Sequence, residues 1–166
     1  IGGTENPEIV YGFGVNLRWK ELDFGAMFQG IGRTWRILSS NIMPASNKGS
    51  MYNIFDNYQD RWTVDNQSQD VFYPRADYGP NANNSQKSTW WLRNMSFLRL
   101  KDAEIGYTLP ESMTKKWGLS KIRFYIQGKN LITFSDFKLW DPEVNANYGN
   151  VYPLIRTFAI GANVNF

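Results

Sequence analysis

Asp136, Asp141 and Glu143, close together near the end of the chain, are the nearest approach in this sequence to a pair of catalytic carboxylates. Two carboxyls flanking a sugar linkage are what glycoside hydrolysis requires. Asp141-Pro142-Glu143 reads more simply as a loop turn, with Pro setting the bend. Asp56, Asp60, Asp65 and Asp70 offer the hard oxygen ligands that Ca²⁺ takes. Their spacing matches no EF-hand loop, and solvated loop carboxylates are expected. Beyond carboxylates, the catalytic repertoire is narrowed to Lys, Tyr and Ser. The chain has no His and no Cys, which removes Ser-His-Asp triads, imidazole acid–base chemistry, thiolate nucleophiles, disulfides and most zinc sites. No enzymatic activity, metal or cofactor is expected.

Aromatic residues are the more informative group. Phe, Trp and Tyr make up 16% of the 166 residues, a richness that suits a β protein, a sugar-binding surface or the aromatic girdles of a membrane barrel. Trp35, Trp62, Tyr73, Trp90, Trp91 and Trp140 fall in stretches without periodicity. There they are candidates for stacking on a ligand or touching a partner protein, and Trp35, Trp62, Tyr73 and Trp140 are the chosen ones. The competing reading is that these rings pack their own loop or, as for Trp19, Trp90 and Trp91 at strand ends, sit at a membrane interface. The net charge of +3 is spread over scattered Lys and Arg, so no nucleic-acid partner is expected.

The elements that must position these residues are strands. Residues 9–20 alternate Ile9, Tyr11, Phe13, Val15, Leu17 and Trp19 against Val10, Gly12, Gly14, Asn16, Arg18 and Lys20. Successive side chains leave opposite faces of a pleated backbone, so one face is apolar and the other small or polar. Residues 22–30 repeat the pattern after a tight turn at Lys20-Glu21, giving a hairpin. A third strand is expected at 92–109. Its apolar phase changes from Leu98 and Leu100 to Ala103, Ile105 and Tyr107, which predicts a bulge near Lys101-Asp102. A short helical turn with Pro110 before it and Gly118 after leads to a strand at 119–134. The last runs over 152–166, with Phe158, Ile160, Ala162, Val164 and Phe166 on the apolar face. Arg18, Lys20, Arg123 and Lys129 belong to the polar faces.

The connections alternate in length: 20–21 and 110–118 are short, 31–91 and 135–151 long. Every candidate strand reaches the roughly 9–11 residues that a tilted strand needs to cross a bilayer, against about 5–6 for an ordinary soluble strand. No run is long and apolar enough for a transmembrane helix. Short turns on one side, long loops on the other and apolar-out strands are the pattern of an outer-membrane barrel. The chain opens without Met in mid-pattern, I-G-G-T-E-N, and is read as part of something longer.

Several stretches, in order, carry a family resemblance. They are F-Q-G at Phe28–Gly30, R-W-T-V-D-N-Q-S-Q-D-V-F-Y-P-R at Arg61–Arg75 and F-L-R-L-K-D-A-E-I-G-Y-T-L-P at Phe97–Pro110. Then come I-R-F-Y-I-Q-G-K-N-L-I-T-F at Ile122–Phe134, D-P-E at Asp141–Glu143 and Y-P-L-I-R-T-F-A-I-G-A-N-V-N-F at the end. Together they resemble the C-terminal part of the SusC/RagA family of TonB-linked outer-membrane transporters of Bacteroidota. The resemblance implies an all-β chain forming the last five antiparallel strands of a transmembrane barrel of about 22 strands, with extracellular loops at 31–91 and 135–151. It implies import of oligosaccharides, peptides or similar nutrients, a SusD-like surface lipoprotein acting as a lid over the loops, and TonB coupling through an N-terminal plug region that this chain does not contain. It gives Phe166 the role of a barrel-assembly signal and turns Phe158, Ile160, Ala162, Val164 and Phe166 toward outer-membrane lipid.

Five strands cannot close, since the smallest barrels use about eight. The sheet therefore needs the rest of a barrel on both edges. The alternative is a soluble β-sandwich that binds carbohydrate through exposed aromatics; it requires a second sheet covering the Phe158–Phe166 face.

Overall fold

The computed structural model describes residues 3–38, 56–77, 81–84, 86–145 and 151–166. Tyr52, Phe55 and Tyr78, among the aromatics of the long connection, lie outside them. Residue contacts divide the chain into a sheet unit (Gly2–Trp35, Asn94–Asn145 and Val151–Phe166) and a loop unit that is mainly Arg36–Arg93.

The sheet unit is built on five antiparallel strands: β1 (Ile9–Trp19), β2 (Leu22–Gly32), β5 (Phe97–Thr108), β6 (Lys121–Phe134) and β7 (Thr157–Asn165), hydrogen-bonded in the order β1-β2-β5-β6-β7. Each is a spatial neighbour of the next large strand in sequence, as in a meander. Two short strands, β3 (Trp35–Ile37) and β4 (Leu92–Asn94), pair with each other.

Register carries the alternation across all five strands. Phe13 lies opposite Phe28, Leu17 opposite Phe24, Phe24 opposite Ile105, Ile105 opposite Ile126, and Ile126 opposite Ile160. Directly opposed residues share a face, so one continuous face is apolar. It is exposed: Phe13 is 55% accessible, Phe158 68% and Ile160 83%. Among the described residues no second sheet covers it, whereas the sandwich alternative requires one.

The expected bulge is present. In β2, Met27 and Phe28 are adjacent, yet their partners in β5 are Asp102 and Leu100. Lys101 is therefore skipped on that side, and the ladder to β6 shifts at the same place. The extra residue rotates the strand by half a pleat. Leu98 and Leu100 above it thus share the apolar face with Ala103, Ile105 and Tyr107 below it, while Arg99 and Asp102 share the other.

Several boundaries differ from the sequence reading, and three of them have a local cause. The strand expected at 92–109 is interrupted at Met95–Ser96. There the Asn94 side-chain oxygen accepts from the Ser96 N–H at 2.9 Å, and the Met95 N–H is taken by the Thr34 carbonyl at 2.9 Å. That local bond turns the chain, so β4 and β5 are separate strands. The final strand starts at Thr157 rather than 152, after Pro153, which has no N–H for a ladder. The first ends at Trp19 because Lys20 takes a left-handed conformation, φ 54°, in the hairpin turn.

The turn between β5 and β6 is a short helix, α1 (Glu111–Thr114), continued by a 3₁₀ turn at Lys115–Trp117. An exposed Glu111–Lys115 pair at 2.8 Å spans it.

Candidate functional site: a polar sheet face and an aromatic loop unit

The polar face of the sheet is tied by ionic bridges between strands. Arg123 of β6 donates from Nε to Asp23 of β2 at 3.0 Å and from Nη2 to both Asp23 and Glu104 of β5. To reach β2 the guanidinium crosses Gly106 of β5, where any Cβ would overlap it. Gln127 donates to Asp102 at 3.1 Å. On the opposite face Tyr11 crosses Gly30 in the same way, and its hydroxyl donates to the Phe97 carbonyl at 3.0 Å. Each crossing links three strands through a glycine, because only there does the sheet surface lie low enough.

Arg99 follows the bulge onto the polar face and is buried, 1% exposed. Its guanidinium pairs with Asp141 and lies 3.5 Å from Glu143, which also accepts from Lys101 at 3.0 Å. The Asp141 oxygen takes the Glu143 N–H as well, at 3.0 Å, forming the turn at Pro142. Two cations from β5 thus hold the two carboxylates of the following loop. Beside them Phe137 is buried and meets Trp140 edge-on at 4.7 Å between centroids.

The loop unit has its own aromatic core. Tyr73 and Trp91 are each 1% exposed. Phe72 meets Tyr73 edge-on at 4.7 Å, and Tyr58 lies 5.6 Å from Tyr73. The Tyr73 hydroxyl donates to the Asn57 side chain at 3.2 Å, and burial pushes its pKa up to about 12. Arg93 lies over the Phe72 ring at 4.7 Å, and burial holds its pKa below the usual guanidinium range. Next to this core a cavity of about 630 Å³ opens between Trp62 and Trp90.

No family model matches the chain. The TonB-dependent receptor P3 of Formosa agariphila is 32% identical over 184 residues, covering 100% of this chain and 17% of that protein. The TonB-dependent receptor P26 of the same organism is 31% identical and covers 99% of this chain, again 17% of the relative. Among solved structures, the RagAB peptide transporter aligns over the whole chain with a TM-score of 0.79 at 31% identity, covering 18% of that chain. The RagAB peptide importer in its closed-closed state gives 0.78 at 30%. The chain belongs to the SusC/RagA family of TonB-dependent transporters. It is a stretch of all-β barrel from an outer-membrane protein, spanning 17% of the length of the curated relatives it matches.

Within this SusC/RagA barrel segment, the residues singled out from the sequence separate into groups. Phe158, Ile160, Ala162 and Val164 do line up on the apolar face of β7; Phe166 lies one residue past the strand, 96% exposed, its carbonyl accepting from Ser120. Trp62 and Trp90 border the loop cavity. Tyr73 does not: it is core, enclosed by Phe72, Tyr58 and Trp91, and is withdrawn as a ligand or partner contact. Trp91 is withdrawn from the interface group for the same reason, while Trp19 stays exposed at the end of β1 with the Lys20 ammonium 5.3 Å over its ring. That places Lys20 in the turn rather than on the polar face. Trp35 is half-buried and packs over Gly3. Trp140 is half-buried against Phe137.

Asp141 and Glu143 are both engaged by cations, in a bridge between β5 and the following loop. Among the described residues no three acidic side chains converge to hold a metal. Two features had no counterpart in the sequence reading. Arg99 looked like one more polar residue of an alternating strand. Met113 and Trp117 are both exposed on the α1 turn, with Trp117 at 60%; the proximity of Trp117 to Lys115 and Lys116 was the available signal.

Proposed function

We infer that the chain is the C-terminal wall segment of a SusC-like importer, its apolar face against outer-membrane lipid and its polar face lining the barrel interior. The observation that carries this reading is the exposed apolar face, continuous over five strands and backed by a face of Asp, Glu, Arg, Gln and Gly. An aqueous protein does not leave so large a patch bare, and a barrel wall must. On this reading Phe158, Ile160, Ala162, Val164 and Phe166 contact acyl chains, and Phe166 serves barrel assembly. The turns at 20–21 and 110–118 face the periplasm, and the loops 31–91 and 135–151 face outward.

The intact protein would import oligosaccharides or peptides with energy from TonB, received through a plug domain upstream. The RagAB structures, a transporter assembly by name, support a SusD-like lipoprotein over the loops as the partner kind. The chain itself carries structure and contact surface, not catalysis.

Because this chain has no Cys, single cysteines give a clean test in the whole protein in membranes, with any other cysteines replaced. Ile160→Cys is expected to resist a charged maleimide and react with a lipid-soluble one. Asn163→Cys is expected to react with the charged reagent. Equal labelling of both positions by the charged reagent would refute the wall reading.

A further inference from the structure

We propose that the turn joining β5 and β6 is a headgroup site for anionic phospholipid in the periplasmic leaflet, built on Lys116 and Trp117. This rests on the wall reading above, which turns that end of the sheet toward the periplasm.

Two turns share that end. The Thr108 N–H donates to the Glu21 carbonyl at 2.8 Å, which ties the β1–β2 turn to the strand leading into α1. The last full row of the apolar face runs beside them: Trp19, Leu22, Tyr107 and Phe124 lie opposite one another in succession. All four are exposed. One step nearer the turn, Ile122 belongs to the same face yet is buried, and α1 meets β6 at that end. The turn is therefore continuous with the apolar face, and its own apolar side chains, Met113 and Trp117, stay exposed. An indole at the edge of a bilayer settles at headgroup level, where its ring meets hydrocarbon and its N–H stays wet. Met113 and Trp117 alone are too small a patch for a protein partner, which takes roughly 800 Å² a side. As the margin of a lipid-facing surface they need no area of their own.

Charge decides which headgroup. Over residues 20–21 and 110–121 stand four lysines, Lys20, Lys115, Lys116 and Lys121, against Glu21 and Glu111. All six are exposed. Lys115 holds Glu111 at 2.8 Å, and among the described residues Lys116 makes no ion pair. Lys116 adjoins Trp117, and the same pairing recurs at Trp19-Lys20 in the neighbouring turn. An ammonium beside an indole N–H offers a lipid phosphate a charge-assisted bond and a neutral donor together. A lysine close to an anionic bilayer contributes about fivefold in affinity, an advantage that a zwitterionic surface does not return.

The test uses the full-length protein in liposomes and reads Trp117 as the fluorescence difference between wild type and Trp117→Phe. Brominated phosphatidylglycerol and brominated phosphatidylethanolamine, each diluted in unlabelled zwitterionic lipid, are the quenchers. Phosphatidylglycerol is expected to quench Trp117 at about fivefold lower mole fraction. Lys116→Gln should bring the two lipids close to parity, as should salt at about 0.5 M. Glu111→Gln, which frees Lys115, should widen the preference. Heat-modifiable mobility on gels checks that each variant is assembled. Equal quenching by both lipids overturns the proposal, and so does a preference undiminished by Lys116→Gln and by salt. Quenching by neither lipid overturns it too, since the turn then lies in water or under a periplasmic protein. The maleimide labelling of Ile160→Cys and Asn163→Cys judges the wall reading separately. Protection of Ile160→Cys together with an unquenched Trp117 would sink the headgroup site and leave the wall standing. Reaction of Ile160→Cys with the charged reagent would sink the wall itself.

Discussion

Arg99 and Asp141 lie 42 residues apart in sequence and form an ion pair in which the arginine side chain is 1% exposed and the aspartate 14%. A buried charge pair is weak evidence of net stabilisation, yet removing one partner is costly, about 3–5 kcal/mol, because it strands the other. The bulge at Lys101 decides that this guanidinium points to the loop side of the sheet at all.

Arg99→Ala should therefore release the loop over Phe137–Val144 while leaving the strand ladder in place. Hydrogen–deuterium exchange of the whole protein is expected to show faster exchange in that loop with β6 and β7 unchanged. Asp141→Asn, which keeps the turn bond to the Glu143 N–H, should produce a smaller increase. Undiminished loop protection in Arg99→Ala would mean that Phe137 and Trp140 hold the loop without help from charge.

Deleting Lys101 should leave the two faces of β5 intact. Lys101 is the extra residue of the bulge, so without it Leu100 and Ala103 stand two apart and share the apolar face by simple alternation, while Arg99 stays on the polar one. What the deletion removes is the bulge and the Lys101 bond to Glu143. Assembly into the outer membrane, read by heat-modifiable mobility on gels, is expected to persist for the deletion and for Lys101→Ala; failure of the deletion alone would show that the bulge itself is required.

The two glycine crossings should respond differently to an added methyl. At Gly30 a Cβ would come within 2.5 Å of the Phe97 carbonyl, a backbone atom that cannot step aside. Gly30→Ala should destabilise by about 1–3 kcal/mol. At Gly106 the obstacle is the end of the flexible Arg123 side chain. Gly106→Ala should cost less, and its loss should fall in Gly106→Ala/Arg123→Ala, where the obstacle has gone. Urea unfolding of the reconstituted protein separates the two; equal costs at both positions would contradict the argument.

Tyr73 gives the loop unit a pH dependence of known sign. Its ordinary value of 10.0 is raised to about 12 by burial, so the folded unit favours the neutral phenol. That stabilisation is complete below pH 10 and is lost as pH rises through about 12. Intrinsic fluorescence of the aromatic core should therefore change over this window, and Tyr73→Phe should flatten the change. Tyr73→Phe also forfeits the bond to Asn57, about 0.5–1.5 kcal/mol. A pH profile identical in Tyr73→Phe would assign the transition to another group.

What the sequence disclosed and what it withheld divide along physical lines. The strands were legible because Phe158, Ile160 and Val164, or Phe13, Val15 and Leu17, repeat at the pleat's own period. The bulge was legible for the same reason: an apolar phase that slips between Leu100 and Ala103 requires one extra residue in the strand if a single face is to stay apolar. The burial of Tyr73 and Trp91 was not, because a loop core assembled from residues 58, 72, 73 and 91 has no period, and an aromatic in a polar stretch looks exposed. Arg99 was missed because its significance lies in Asp141 and Glu143, which no short spacing connects to it. The break at Met95–Ser96 depends on one asparagine side chain capturing a nearby N–H, which competes locally with the ladder and leaves no mark on the hydrophobic pattern.

Among the described strands, β1 and β7 each have a neighbour on one side only. Cut loose from its cylinder, this polypeptide would carry two adhesive seams, and the outer rim of β7 on one copy could zip to the outer rim of β1 on the next. Such head-to-tail joining either ends in a ring or runs on as a filament. Anyone expressing the fragment alone should therefore plan for inclusion bodies and fibrils, and should study it inside its parent.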